Sequence, residues 1–112
     1  MNRAKHSQST AAHVDRLIHE PARLQIMTAL SAVAWADFPS LCRDLGLTRG
    51  NLSAHCGRLE RAGYVQVKKS IIGRIPHTQY RLTPNGRKVL KEYWAAMDRI
   101  RQLAETKPTR QM

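Results

Sequence analysis

The sequence predicts a mainly α-helical fold with one β-hairpin, an α+β class, on three observations. Apolar residues recur at helical spacing in four segments before Gly63, separated by proline, glycine and helix-capping residues. After Gly63 the apolar spacing changes to two, which is typical of strands. The last stretch, from Pro84 to about Glu105, is again helical in period. Helices, a hairpin and a long final helix in this order predict a winged helix-turn-helix.

The first two helical segments are marked by their apolar positions and by a proline. A short helix is predicted at about Ala12–His19. Pro21 fits the first turn of a second helix, PARLQIMTALSAV, where the missing N–H of proline costs nothing. The apolar face of that second helix is expected to comprise Leu24, Met27, Ala29 and Leu30.

The next two segments predict the helix-turn-helix itself. Asp37 opens a compact helix that Gly46 ends. Thr48 caps the following helix, predicted over 48–62, and Gly63 ends it. The inward stripe of this recognition helix comprises Leu52, Cys56 and Leu59.

The opposite stripe of the recognition helix has almost no side chain. Its members are Gly50, Ser53, Ala54 and Gly57. Each interior glycine costs a helix about 1 kcal/mol relative to alanine, so a functional reason is expected. A bare stripe lets a binding partner approach the helix backbone closely. The alternative is that the glycines allow close packing against another protein element.

The hairpin is predicted from period-two spacing on both sides of a turn. One strand begins at Tyr64, the other spans 79–83, and the basic, extended wing between them covers 68–78. Three large aliphatic residues lie on this supposedly solvated hairpin: Ile71, Ile72 and Ile75. The sequence leaves open whether they pack beneath the wing or meet a partner subunit.

Length and charge narrow the class of protein. The 112 residues predict one domain over 11–105, preceded by a flexible basic arm over 1–10 and followed by a flexible tail over 106–112. The net charge is +11, and residues 43–91 alone carry eleven basic against two acidic residues, or +9. Such a concentration favours nucleic acid as partner over an anionic membrane surface. The sequence has no apolar run that would span a bilayer and no signal peptide, so a cytoplasmic protein with reduced thiols is expected.

The segment GLTRGNLSAHCGRLERAGYV, followed by the hairpin and YRLTPNGRKVL, resembles the winged-helix domain of small MarR/ArsR-like transcriptional regulators. HEPARLQIM near the start is similar to the family's first helix, and the resemblance covers roughly Leu17 to Tyr93. It implies a homodimer in which the third helix of each subunit enters one of two successive major grooves of double-stranded DNA. The wings would contact the minor groove or the backbone, and the terminal helices would form the dimer interface.

The resemblance also implies roles for individual residues. Thr48 would cap the recognition helix and place its first amides near a phosphate. The positions along or beside the major groove would be Arg49, Asn51, Ser53, Ala54 and Arg58. The bare positions Gly50 and Gly57 would let the backbone approach DNA closely. Ser53 would then bond a base edge and Ala54 would touch a thymine methyl. The wing contacts would be Lys68, Lys69, Arg74 and His77. His55 is expected to be a groove-edge or phosphate contact, or a partly buried polar residue. The family usually has larger residues at Cys56 and Gly57, which moves bidentate guanine recognition to Arg49 or Arg58.

The final helix, 84–105, has an apolar face wider than one small core needs. The predicted dimer interface comprises Val89, Leu90, Tyr93, Trp94, Met97, Ile100 and Leu103. The alternative is a stripe packed within one chain. By analogy, Trp94 and Met97 would also line a pocket for a small-molecule effector, whose identity the sequence does not give.

No enzyme, cofactor or metal site is predicted. The sequence has no Ser/His/Asp order, carboxylate pair or glycine-rich phosphate loop, and LCRDL has only Cys42 where metal-sensing relatives carry Cys-x-Cys. Cys56 is interpreted as a small hydrophobe. The prediction is therefore a DNA-binding repressor acting as a homodimer on a pseudo-palindromic operator. The alternatives are a low-specificity nucleic-acid binder, either nucleoid-associated or RNA-binding, and a protein-interaction adaptor.

Overall fold

A computed structural model describes residues 14–111 and the side chains of residues 14–105. Four helices and a three-stranded antiparallel sheet make up this part of the chain. The helices are α1 Pro21–Ser31, α2 Phe38–Leu45, α3 Arg49–Arg61 and α4 Pro84–Gln111. The strands are β1 Ala36–Asp37, β2 Val65–Ile72 and β3 Ile75–Leu82.

The beginning of α1 confirms the role of Pro21 and corrects the predicted helix before it. Glu20 has an extended backbone, as a residue before proline prefers, and its carboxylate accepts the N–H of Arg23 at 2.8 Å. From residue 14 on, the stretch predicted as a helix is a single turn, in which the N–H of His19 donates to the carbonyl of Asp15 at 2.9 Å. The extended conformation imposed before proline stops that turn from continuing.

The helix-turn-helix begins and ends where the capping residues predict. The Asp37 carboxylate accepts the N–H of Ser40 at 3.3 Å, and Gly46 ends α2 with a left-handed φ of 65°. The Thr48 hydroxyl accepts the N–H of Asn51 at 3.1 Å, which caps α3. Gly63 follows α3 with a φ of 84°. These local interactions set where α2 and α3 begin and end.

The hairpin is longer and more regular than predicted. β2 and β3 pair continuously from Val65–Leu82 to Ile72–Ile75, so the segment expected to be an extended tip forms strand. The turn has only two residues, Gly73 and Arg74, and both have positive φ, as a type I′ turn requires. β1, which the sequence did not predict, pairs with β3.

α4 packs on the hairpin through a glycine. A Cβ at Gly86 would lie 2.1 Å from the carbonyl oxygen of Tyr64, so only glycine allows this approach. The backbone of α4 continues to Gln111, beyond the predicted end at Glu105, because extending an existing helix needs no new nucleation. The predicted arm, 1–10, lies outside the described residues.

The core lies between α1, α3, the sheet and the first half of α4. Its largest fully buried side chains are Ile18, Ile26, Met27, Leu30, Leu52, Leu59 and Cys56. Ile26 was missing from the predicted face of α1, whereas Leu24 and Ala29 are half-buried at the edge of the core. The predicted inward stripe of α3 is confirmed. The architecture is that of a winged helix-turn-helix, as predicted.

Candidate nucleic-acid interface

The exposed face of α3 has almost no side chains, and no contact within the described part of the chain explains this. Ser53 and Ala54 are exposed. A Cβ at Gly50 would meet no atom within 4 Å, and one at Gly57 would meet only the Arg61 side chain at 3.5 Å. Packing against another element of the described chain therefore does not explain these glycines. The helix has room for a Cβ atom at both positions.

Arginines lie at both ends of the bare stripe. Arg49 is exposed, and its guanidinium carbon lies 4.9 Å from the centre of the Phe38 ring, a cation–π contact that restricts the side chain. Arg58 and Arg61 are exposed in the last turn. Asn51 is also exposed in the first turn. Cationic groups therefore flank a face on which the backbone itself is accessible.

The first turn of α3 retains one hydroxyl proton for a ligand. The Thr48 oxygen accepts the Asn51 N–H within the protein. Its O–H remains available to donate, because a hydroxyl can accept and donate at once. Thr48 can therefore cap the helix and bond a phosphate oxygen at the same time.

His55 is half-buried, and its ring contacts α1. Its Nδ1 lies 3.2 Å from a terminal nitrogen of Arg23 on α1. A guanidinium only donates, so Nδ1 is the acceptor in this contact. The sequence did not point to Arg23, because this contact joins residues 32 positions apart.

The outer face of the wing carries a cationic cluster that includes two residues missed by the sequence reasoning. Lys68 and Arg81 lie over the Trp35 ring, with their charged groups 4.4 Å and 4.8 Å from its centre. Arg81 also donates from Nε to the Gln66 side chain at 2.9 Å. Trp35 and Arg81 were missed because the cluster joins the loop before β1 to two strands. Within the hairpin, the alternation of strand residues would have placed Lys68 and Arg81 on one face.

The remaining predicted wing residues lie nearer the turn. Lys69 and Arg74 are exposed and His77 is half-buried. Arg74 has a φ of 74°, which costs a non-glycine residue about 1–2 kcal/mol. Ile71, Ile72 and Ile75 are 74%, 61% and 67% exposed, so they do not pack beneath the wing.

The two cysteines are free thiols in different surroundings. Cys42 is half-buried and Cys56 is buried at 1% exposure. Burial raises the pKa of the Cys56 thiol to about 12, so almost no thiolate forms near pH 7. Cys56 therefore acts as a small core residue, as predicted. Among the residues that the structure describes, no group of three potential metal ligands occurs.

The apolar face of α4 divides into a buried and an exposed part, which corrects the predicted interface. Leu90 and Tyr93 are 5% and 3% exposed, because they pack in the core of their own chain. Val89 and Met97 are half-buried against the same core. The exposed members are Trp94, Ile100 and Leu103. The surface left for a second copy is therefore smaller than predicted.

Trp94 separates two open grooves. One groove is almost wholly apolar and is lined by Leu24, Gln25, Thr28, Ala29, Leu45 and Trp94. The other is more polar and is lined by Trp94, Ala95, Met97, Asp98 and Arg101. No helix in the described part of the chain is long and apolar enough to span a membrane.

An exposed helix held at the surface by a helix-turn-helix, with a basic hairpin beside it, defines a DNA-binding winged-helix protein. The comparisons agree with this class. Residues 22–101 match the sequence profile described as a winged helix DNA-binding domain. The chain belongs to this family.

Three relatives illustrate the match. An uncharacterised protein of Methanocaldococcus jannaschii is 33% identical over 78 residues, covering 70% of this chain and 85% of that protein. The structure of a transcriptional regulator homologue from Pyrococcus horikoshii is 30% identical with a TM-score of 0.72, covering 89% of this chain and 94% of that one. A MarR-family regulator from Silicibacter pomeroyi shares the fold at 21% identity, with a TM-score of 0.60 over 81% of this chain and 60% of that one.

Proposed function

We propose that the protein is a cytoplasmic, homodimeric transcriptional regulator that binds duplex DNA with α3 in the major groove and the wing against the adjacent backbone or minor groove. The observation that best supports this proposal is the bare, exposed stripe of α3, which lies between arginines at its two ends. A helix of this shape brings its backbone close to base edges without a steric barrier. The +9 charge of residues 43–91 supplies the attraction to phosphates.

Base recognition is concentrated at a few positions of α3. Ser53 bonds a base edge and Ala54 contacts a thymine methyl. Bidentate contacts to guanine come from Arg58 or Arg49, and the latter is oriented by its stacking on Phe38. Because the middle of the helix has so few side chains, DNA shape contributes a substantial part of the specificity.

Phosphate contacts orient the domain on the duplex. Thr48 donates its hydroxyl proton at the start of α3, and Asn51 and His55 lie beside the same groove. On the wing, Lys68, Lys69 and His77 contact the backbone. Arg81 belongs to the same set, because Trp35 holds it close to Lys68.

The exposed part of the α4 face supports the homodimer. Trp94, Ile100 and Leu103 lie on the helix at 46%, 42% and 67% exposure, and half-buried Met97 adjoins Trp94. Burying these side chains against a second copy removes apolar surface from water. A two-fold dimer reads a pseudo-palindromic operator with half-sites about 10 bp apart. Occupation of a promoter then represses transcription, and the apolar groove beside Trp94 would admit a small-molecule effector.

The second candidate is a low-specificity nucleic-acid binder. The bare stripe favours it, because Ser53 and Ala54 offer little of the hydrogen bonding that distinguishes one base pair from another. Its affinity would depend on phosphate contacts alone and so would hardly vary with sequence.

The test compares binding to DNA flanking the protein's own coding region with binding to scrambled DNA of equal length and composition. Both are titrated by fluorescence anisotropy at several salt concentrations. A specific regulator prefers its site by roughly a thousandfold or more at matched salt. Equal affinities with a steep salt dependence support the second candidate. Absence of binding at low salt would overturn both and point to a protein-interaction adaptor.

A further inference from the structure

The tip of the wing, residues 71–76, is apolar on both of its faces. Ile71 pairs across the strands with Pro76 on one face, and Ile72 pairs with Ile75 on the other. All three isoleucines are more than 60% exposed. A tip that is apolar on both sides cannot be covered by folding one face of the hairpin back onto its own domain. It suits a partner that surrounds it.

The hairpin presents this tip as a narrow, projecting element. The Ile72–Ile75 pair lies five residues beyond the Val67–Tyr80 pair, or about 17 Å along the strand. The two-residue turn Gly73–Arg74 closes the hairpin tightly. The tip is therefore slender and extends well past the buried core.

Charge and chain continuity identify the partner as DNA. No acidic residue occurs between Arg61 and Lys91, and Arg74 lies in the tip, with Lys69 two residues before the tip begins. Cations beside an apolar wedge match a minor groove, whose sugar walls are bordered by phosphates. β2 begins four residues after α3 ends. A duplex seated on α3 therefore lies beside the base of the wing, from which the tip projects.

We infer that the wing tip enters the minor groove as an apolar wedge that partly unstacks a base step and untwists the duplex. A hairpin with side chains on both faces is about 10 Å thick, whereas the minor groove of B-DNA is about 6 Å wide. The tip therefore enters only where the groove opens, and apolar side chains between base steps produce such an opening. This inference rests on the proposed binding of DNA by α3, and it adds a deformation at the wing.

The test measures untwisting of a closed circular plasmid, which needs no known operator. Relaxed plasmid is incubated with protein and topoisomerase at low salt, deproteinised, and resolved by gel electrophoresis. The test variant is Ile71→Thr/Ile72→Thr/Ile75→Thr, because threonine keeps the β-branched shape that suits a strand while making the tip polar. Val33→Thr makes the same kind of change at another exposed apolar position and is the matched control. Circular dichroism and DNA anisotropy establish that each protein is folded and bound.

The expected result is a change of linking number with the wild type and with Val33→Thr. With the triple variant, the change is at least about fivefold smaller at equal occupancy of the DNA. Binding by the wild type without a change of linking number, or equal changes with all three proteins, would overturn the wedge while leaving the proposed function intact. Loss of pelleting with phosphatidylglycerol vesicles in the triple variant, alongside unaltered untwisting, would assign the tip to a lipid surface instead. Failure of the wild type to bind the plasmid at all would overturn the proposed function and the wedge together.

Discussion

The two sides of α3 contrast more than any other pair of regions in this molecule. On the inner side Leu52, Cys56 and Leu59 are at most 1% exposed. On the outer side Gly50, Ser53 and Ala54 are exposed and offer little more than backbone. The inner side chains fill the core, whereas the outer side leaves space next to the backbone. If the outer side binds DNA as proposed, stability and recognition depend on different residues of one helix, and substitutions should separate the two.

The largest expected effect is on the inner side. Leu52→Ala removes a fully buried side chain and should lower the free energy of unfolding by about 2–5 kcal/mol, measured by urea denaturation. DNA affinity of the folded fraction should stay within about twofold, because the outer side is unchanged. A large loss of affinity in protein that is still folded would contradict the separation of the two sides.

The next largest effect is expected on α4, where a substitution on the exposed face tests whether that face forms the dimer interface. Trp94→Glu places a charge on the exposed part and should produce monomers in sedimentation experiments. Loss of one half-site contact should weaken operator binding by about a hundredfold or more. Trp94→Tyr keeps an aromatic ring and should remain dimeric. A stable dimer of Trp94→Glu would show that the proposed interface lies elsewhere.

Arg58→Ala tests whether the edge of the bare stripe reads a base. The expected cost is about 1–3 kcal/mol at the preferred site and less on scrambled DNA. Arg99→Ala removes an exposed arginine from α4 and serves as the control. Equal losses on both DNAs would make Arg58 a phosphate contact.

The burial of Cys56 on the inner side predicts that the free energy of unfolding depends on pH. Burial raises the pKa of Cys56 from near 9 to about 12, so the folded chain retains a proton that the unfolded chain loses. This contribution to stability is present below pH 9 and disappears as the pH rises toward 12, by up to about 1.4 kcal/mol per pH unit. Urea denaturation of wild type and Cys56→Val between pH 8 and 10 measures it. If the free energy of unfolding changed with pH in the same way for both proteins, the predicted contribution of Cys56 would be contradicted.

Local signals made most of this architecture predictable. Proline marks the beginning of α1, aspartate and glycine bound α2, and threonine and glycine bound α3, through contacts spanning a few residues. The features that were missed depend on distant parts of the chain. β1 has two residues, too few for a period, and exists because β3 lies beside it. Gly86 is needed only because the Tyr64 carbonyl approaches it.

The same reasoning applies to the candidate site. The bare stripe and its arginines are visible in sequence, because helical spacing places them on one face. The stacking of Lys68 and Arg81 on Trp35 was not predictable, because it joins three segments. Leu90 and Tyr93 were assigned to the dimer interface because spacing reveals an apolar face but not which chain covers it. Only the packed structure assigns them to the core of one chain.

Gly57→Leu tests the central claim, that α3 is bare so that DNA can approach it. A Cβ at Gly57 would meet only the Arg61 side chain, so replacing this glycine in mid-helix should raise the free energy of unfolding by about 0.5–1 kcal/mol. The same substitution should weaken DNA binding by about tenfold or more, because the leucine occupies space that the duplex needs. Gly57→Ala should give similar stability with little loss of affinity. Wild-type affinity in a folded, stabilised Gly57→Leu protein would contradict the account.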